Sequence, residues 1–551
     1  MKINLISINL IKYYLFIILF FLGLLIYKDF GFNIDEQFQR LNGFYWLNYL
    51  SRKFNLESLE TISTVKLNNI SGFTLPSIDV FNKYGIIFDV PAALIEVFLN
   101  TDRPIEYYQM RHLLVFLYFF ISLVFLYKII INRFKNQSLA LIIVILFFII
   151  PRLLGDSFQN NKDIIFLSFV IISYYYFFKT IDKSNKKNII LFSLFSAIAI
   201  TVRMFGVFFP ILFISYFILS RSKFSKSKND IKINNLILYF LLLIFFLIIF
   251  WPYLWENPIK NFIDYFKTLD LYPSPSIYFL GNYYTYKYLP YSYLPIWIII
   301  STPILHLFLF IIGFYFIFFR FFKRLLKISE TSNYNDLWRG NNEVKDNLIL
   351  FGFLSTFLVL IFFNLIYYNS WRFGYFLYFF IIYFSAYFLN LINIKNRKKN
   401  KFLYFSKLLL LLFILFTIVR NIIYHPYQSL YFNILIPDKI KNSVEIDYTG
   451  LSSIHFLEHI TKISEDLPMV KIGVASWHPL WRMIELLDDK YQKKIVILEN
   501  KKRSLADYIY TSRISEVDKK INKKYEIPSN FDKHAEFKID GAIIYEIYKK
   551  K

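Results

Sequence analysis

The sequence predicts an α-helical, multi-spanning membrane protein that ends in a small α/β domain. Three observations carry this. Mean hydropathy is +0.43 and 56% of the 551 residues are hydrophobic, above the ~45–50% apolar content of soluble domains. About eleven apolar runs lie between residues 11 and 423, separated by loops in which Lys and Arg gather on alternate turns. After residue 423 the apolar runs shorten and charge rises.

In chain order the candidate spans lie near 11–28, 112–132, 138–151, 163–180, 188–202, 205–220, 235–252, 294–319, 348–367, 374–393 and 403–423. A bilayer crossing needs about 18 or more largely apolar residues. The N-terminal stretch MKINLISINLIKYYLFIILFFLGLL has no small-residue cleavage site after its apolar run and reads as a retained first helix. Basic residues concentrate at 128–136, 179–187, 221–233, 320–345 and 395–407. The positive-inside rule makes these loops cytoplasmic, with the N-terminus inside. Eleven crossings then put the C-terminal region outside, in the periplasm of a Gram-negative cell. The expected division is a membrane module over 1–423, with external loops 29–110, 151–163, 253–293 and 367–375, and an external domain over 424–551.

Composition narrows the function. The chain has no Cys, which excludes disulfides, thiolate catalysis and Cys-ligated metal. A net charge of +24 is accounted for by the cytoplasmic loops, so nucleic acid is not an expected partner. The 66 Phe and 44 Tyr match what an AT-rich genome encodes and are not read as a ligand box.

The most informative stretch is Pro151–Asp163, PRLLGDSFQNNKD, which reads as a polar hairpin between two apolar runs. Pro151 stops the preceding helix, and Asp163 reads as the cap of the following one. Arg152, Asp156 and Lys162 are costly groups to keep at a membrane boundary, which makes them site candidates. The first external loop opens with Asp35-Glu36 and closes on KYGIIFDVPAALIEVFL (Lys83–Leu99), part of which reads as an interfacial helix. Asp35 and Glu36 also suit a plain helix start. Arg111, His112 and Lys287 read as interface anchors or helix-end charges. Arg203 is a lone cation in ITVRMFG; its bland reading is a side chain snorkelling to the headgroups. Arg372 stands between aromatics in YYNSWRFGY, where an aromatic-belt anchor is the alternative. His425, in YHPYQ, is expected to organise the join to the external domain. Beyond it, VKIGVAS, KIVILE and ADYIYT read as strands, and FKIDGAIIYEIY reads as a hairpin turning at Asp540-Gly541.

All the oddly placed charges therefore fall on one expected face. A transporter would bury charges near the midplane in broken helices. A boundary site instead suits an amphipathic lipid whose phosphate lies at headgroup level, because Arg clamps phosphate bidentately and a nearby carboxylate can deprotonate a hydroxyl.

In this light KYGIIFDVPAALIE, the Arg111-His112 pair, PRLLGDSFQNNKD, WPYLWENP, YYNSWRFGYF and YHPYQSLYFN, taken in order, resemble segments of GT-C glycosyltransferases. The nearest group is bacterial glycosyltransferase family 39 with the protein O-mannosyltransferases. The resemblance implies a GT-C fold and a polyprenyl-phosphate-linked sugar as donor. It implies an acceptor on the outer face of the inner membrane: a glycolipid, a polysaccharide or a protein. Carried over, Asp35 is the base, Glu36 orients or binds the acceptor, and Asp156 positions the acceptor or holds a divalent metal such as Mg or Mn. Arg203, Arg372 and Lys287 become candidates for the donor phosphate. Arg111, His112, Arg152, Lys162 and His425 remain further candidates. The rival classes are a transporter or flippase of lipid-linked saccharides and a polymerase or ligase of the same.

Overall fold

The computed structural model describes residues 5–69, 84–221, 231–268, 276–285, 288–327, 336–363, 370–395, 400–464, 466–512 and 523–551. It is mostly helical. α1 (Leu5–Ile26) leads to α2 (Ile34–Lys53), α3 (Glu57–Asn69) and α4 (Asp89–Leu99), which pack together beside α5 (Pro104–Phe134). Then follow α6 (Gln137–Phe148), α7 (Pro151–Gln159), α8 (Asp163–Asp182), α9 (Lys186–Val202), α10 (Phe208–Arg221), α11 (Ile233–Phe250) and α12 (Pro258–Thr268). A short hairpin, β1 (Ser276–Phe279) and β2 (Asn282–Thr285), precedes α13 (Tyr293–Ser301), α14 (Ile304–Leu325), α15 (Asn341–Phe362), α16 (Leu377–Lys395) and α17 (Asn400–Tyr424).

Each of the eleven apolar runs forms a helix, but not each is long enough to cross. Among the described residues, seven helices have the length and apolarity of a span, and eight if α6 and α7 count as one bent span. Of the other three, α9 has 17 residues, and the fully described parts of α1 and α16 are Leu10–Ile26 and Leu377–Asn393. The run expected over 294–319 is divided, because α13 stops ahead of Pro303 and α14 starts after it.

The expected polar hairpin at 151–163 is corrected. Pro151 sits at the first helical position, where its missing N–H is no loss, and it starts α7 at 67° to α6. All nine residues of α7 are buried. Phe158 stacks on Phe30 and Phe116, at 4.5 and 5.2 Å between ring centres. The helix is thus enclosed by protein rather than by solvent.

The C-terminal strands form as the sequence indicates. β3 (Val470–Ala475), β4 (Ile495–Ile497), β5 (Tyr508–Ser512), β6 (Phe531–Ile539) and β7 (Ala542–Lys550) make one sheet in the order β4-β3-β5-β7-β6. The first three are mutually parallel and the β6–β7 hairpin is antiparallel. Asp540 and Gly541 turn the hairpin with φ of 49° and 80°, the left-handed pair that a two-residue turn requires. α18 (Ser453–Ile463) covers one face, its Phe456 lying 4.7 Å from the Tyr510 ring. The hairpin tip is docked on the last long helix: Asp540 accepts from Arg420 and, at 2.9 Å, from the Tyr424 hydroxyl.

Candidate active site

The site forms where the start of α2, the α7–α8 corner, the α9–α10 corner and residues 370–375 meet. Asn33 caps α2, its side-chain oxygen accepting the Asp35 N–H at 3.0 Å. Glu36 closes the capping box by accepting the Asn33 N–H at 2.9 Å. Its carboxylate is buried and lies 3.0 Å from His112 Nε2. Glu36 therefore holds the turn that presents Asp35 and does not itself face a reactant. The Asp35 side chain is 37% exposed and accepts from Arg372 Nη2 at 2.6 Å.

Arg372 joins the acidic groups. Its Nε lies 4.0 Å from Asp163 Oδ2, and Asp163 accepts from Arg203 Nη2 at 2.6 Å. Asp163 is thus an ion-pair partner rather than a mere cap; Lys162 holds the cap position without a side-chain bond. Arg203 does not snorkel: it is part-buried between Asp163 and the Phe373 ring, 4.3 Å away. Asp156 is buried, hydrogen-bonded by the Tyr375 hydroxyl, with Arg372 and Arg152 close by. Arg152 donates to the Tyr431 carbonyl and the Ser370 hydroxyl, both at 3.1 Å, and lies 5.1 Å from the Trp297 ring. Arg152, Asp156 and Arg372 line one cavity of about 50 Å³. Arg372 is thus bonded to Asp35 and lines the same cavity as Asp156.

The roof of that cavity comes partly from the YHPYQSLYFN segment and partly from a stretch with no signal in the sequence. Ser429, Phe432 and the stretch Glu445–Thr449 line it. Thr449 accepts the Ile34 N–H at 3.0 Å, so this strap also fixes the start of α2. The approach at Gly31 is equally close, since a Cβ there would stand 2.3 Å from the Leu451 carbonyl oxygen. Asp447 turns the strap, accepting from the Ser452 hydroxyl and from the N–H groups of Leu451 and Ser452; burial pushes its carboxyl up to about 6 against those bonds. The β1–β2 hairpin braces the strap from outside, with the Glu445 N–H donating to the Tyr278 carbonyl at 3.0 Å.

Gly155 sets the spacing of α7 against the turn at Gln428–Leu430. A Cβ there would lie 2.4 Å from the Ser429 nitrogen, a backbone atom that cannot swing away. Gly155→Ala is expected to destabilise the protein by about 1–3 kcal/mol, as overpacking does. Thermal melting of the purified protein checks it; an unchanged midpoint would contradict the close packing of α7.

The remaining candidates lie elsewhere. Arg111 and His112 are buried, not interface anchors: His112 meets Glu36, and Arg111 Nη2 lies 3.6 Å from Glu96. Lys162 donates to Asp89 at 2.8 Å, and Asp89 also accepts from Asn42 and Asn161. Asp89 ties α4 to the α7–α8 corner and was missed. A charge within an apolar run is the signal that picks out Arg203, and it applies equally to Asp89. His425, just past the end of α17, lies 2.9 Å from Asp29 Oδ2 and 3.0 Å from Gln428 Nε2. Lys287 lies outside the described residues. Among the described residues no three His, Asp or Glu side chains converge as metal ligands. The carboxylates of Asp35 and Asp163 are each engaged by a guanidinium.

Residues 82–255 match the family described as dolichyl-phosphate-mannose-protein mannosyltransferase. The matched stretch includes Asp156, Asp163 and Arg203, and the match agrees with the resemblance to GT-C glycosyltransferases. Among solved structures it is similar to the oligosaccharyltransferase of Archaeoglobus fulgidus in the apo form, at 11% identity and TM-score 0.42, over 78% of this chain and 62% of that one. It therefore spans less than two thirds of that enzyme's length. It is also similar to ArnT of Cupriavidus metallidurans bound to undecaprenyl phosphate, at 10% identity and TM-score 0.42, over 84% of this chain and 88% of that one. The apo state of the same ArnT gives 10% identity and TM-score 0.43, over 85% and 88%. No curated protein matches the chain.

Proposed function

We propose that this protein transfers a glycosyl group from a polyprenyl-phosphate-linked sugar to a hydroxyl-bearing acceptor, a glycolipid, polysaccharide or protein, on the periplasmic face of the inner membrane. The observation that carries the reading is the shared guanidinium of Arg372, bonded to Asp35 on one side and close to Asp163 on the other. Three arginines, Arg152, Arg203 and Arg372, stand among three carboxylates at one end of an apolar bundle. A donor phosphate competes for those guanidinium groups, which offer paired N–H donors to it. As Arg372 turns to the phosphate, Asp35 is released as a free carboxylate.

The acceptor hydroxyl then loses its proton to Asp35 while its oxygen attacks the anomeric carbon from the face opposite the phosphate. The bond from that carbon to the phosphate oxygen breaks, and its electron pair stays on the phosphate. Arg372 and Arg203 stabilise the charge that develops there. Asp163 orients Arg203, Glu36 orients Asp35 through the capping box, and Asp156 with Tyr375 shapes the acceptor side. The reading assigns the end of the bundle that carries the sheet domain to the periplasm. The N-terminus and the loops rich in Lys and Arg are assigned to the cytoplasm.

The test is release of free polyprenyl phosphate by the purified protein from a panel of polyprenyl-phosphate sugars, with a membrane extract as acceptor source. Release from one donor names the sugar. Release from none, while the same extract supports a known transferase, overturns the reading.

A further inference from the structure

A second cavity, about 100 Å³ in volume, opens between the membrane module and the sheet domain. Its walls include Gln37, Arg40 and Tyr107 from the module and Trp481, Arg482 and Glu485 from the domain. It starts within the first turn of α2, two residues beyond Asp35, which is about 3 Å along the helix axis. Two residues turn the helix by about 200°, so the cavity lies on a different face of α2 from the candidate base, and it shares no wall with the Arg152–Asp156 cavity.

Its chemistry is that of a sugar site biased toward anions. The Arg40 guanidinium lies 3.7 Å from the Tyr107 ring centre and is held there by Glu96, at 2.6 Å. Arg482 sits 4.6 Å from the Trp481 ring, and Trp481 is 47% exposed. Aromatic faces stack against the apolar face of a pyranose, while their edges leave its hydroxyls to polar neighbours. Behind Arg40 the charges do not balance. Glu96 faces Arg40, Arg111 and Lys66, and among the described residues the ion pairs of these three cations include one further carboxylate, Asp102 at 2.7 Å from Lys66, while Asp89 acts on Arg111 from farther off. The Arg111 side chain is 3% exposed, and none of its three nitrogens has a hydrogen-bond partner among the described residues. The floor of the cavity thus holds surplus positive charge in a water-poor setting. Glu485 is the acidic group at the mouth.

We propose that this cavity is a saccharide-binding site, and that it takes a pyranose bearing an anionic group, a carboxylate or a phosphate. The proposal rests on the transfer reading for the choice of a saccharide but not for its binding chemistry. Trp481 stacks the ring, Arg482 and Arg40 meet the anion, and the Gln37 amide meets the ring hydroxyls.

Trp481 supplies the probe. The detergent-purified full chain is titrated with a glucuronate-containing disaccharide, with glucose 6-phosphate and with neutral maltose, following tryptophan emission. A saturable change with at least one anionic sugar is expected, about tenfold tighter or more than maltose, since a hydrogen bond to a charged partner is worth ~1.5–3 kcal/mol. The anionic sugar that responds names the class. Trp481→Phe should remove the signal and Arg482→Gln should weaken binding about tenfold. Glu485→Gln should tighten it, a gain that misfolding cannot imitate. Absence of a saturable response to both anionic sugars, an equal response to maltose, or indifference to both charge changes overturns the proposal. Sugar binding without polyprenyl phosphate release would keep the site and discard the transfer reading; release without binding would do the reverse.

Discussion

Exchanging Asp35 for Asn is expected to lower the rate of polyprenyl phosphate release by about 10²–10⁴-fold, the range that a positioned general base contributes. The substitution keeps the shape of the side chain and an oxygen that can still accept from Arg372. What it removes is basicity. A competing explanation is loss of the Asp35–Arg372 ion pair and with it the fold. Two observations decide against this: Asp35 itself is 37% exposed, so its exchange strands no buried carboxylate, and Arg372, at 11% exposure, keeps Asp163 at 4.0 Å as a counter-charge. The melting midpoint should therefore stay nearly unchanged while turnover collapses. The donor concentration for half-maximal rate should hold or fall, since Arg372 no longer faces a competing charge. Turnover that survives the exchange would remove Asp35 from the role of base and direct attention to Asp156. Glu36→Gln makes the contrast, because it weakens the capping box and the contact with His112 without touching the reacting hydroxyl. Its loss should show mainly in stability, by about 0.5–2 kcal/mol.

The sequence made the charged groups legible, but not their pairings. Asp35, Asp156, Arg152, Arg203 and Arg372 stand out because each is a costly group beside an apolar run. The rule that marks them is local. Which guanidinium meets which carboxylate depends on contacts 40 residues apart for Arg203–Asp163 and 337 apart for Arg372–Asp35. The α7 helix was hidden for a related reason. Its polar residues look like a solvated turn until the bundle closes over them. The Glu445–Thr449 strap carries no motif at all; it becomes part of the site because Asp540 pins the sheet domain to α17 and the intervening chain must run over the cavity. The strands and the Asp540-Gly541 turn were readable, since alternation and turn chemistry act over a few residues. The span count was not, because apolarity marks a run as buried in lipid or protein without saying which. α8 shows this: it passes as a span, yet 83% of its apolar window is buried inside the protein.

At the other end of the bundle, Asp346 is the residue whose loss should destabilise the protein most. It is fully buried on α15. Arg133 of α5 grips it with two bonds, at 2.8 and 2.6 Å, Arg320 of α14 with one at 3.1 Å, and the Tyr383 hydroxyl of α16 donates at 2.8 Å. Four helices thus converge on one carboxylate. Asp346→Asn takes away the carboxylate to which both guanidinium groups are bonded, and both are largely out of water. Removing one partner from such a buried group costs about 3–5 kcal/mol, because the remaining charges are stranded. The expected result is a marked fall in melting temperature in detergent. The same reasoning makes a sharper claim about the cluster as a whole. Its favourable attraction is largely offset by the cost of taking three charges from water, so replacing all of them with apolar residues of similar size should be far less damaging. Arg133→Met, Arg320→Met and Asp346→Leu combined should therefore melt above Asp346→Asn alone. If the triple variant melts lower, the cluster stabilises by net attraction. If the single variant melts like the wild type, the four helices are held by their apolar contacts and the ion cluster is incidental to stability.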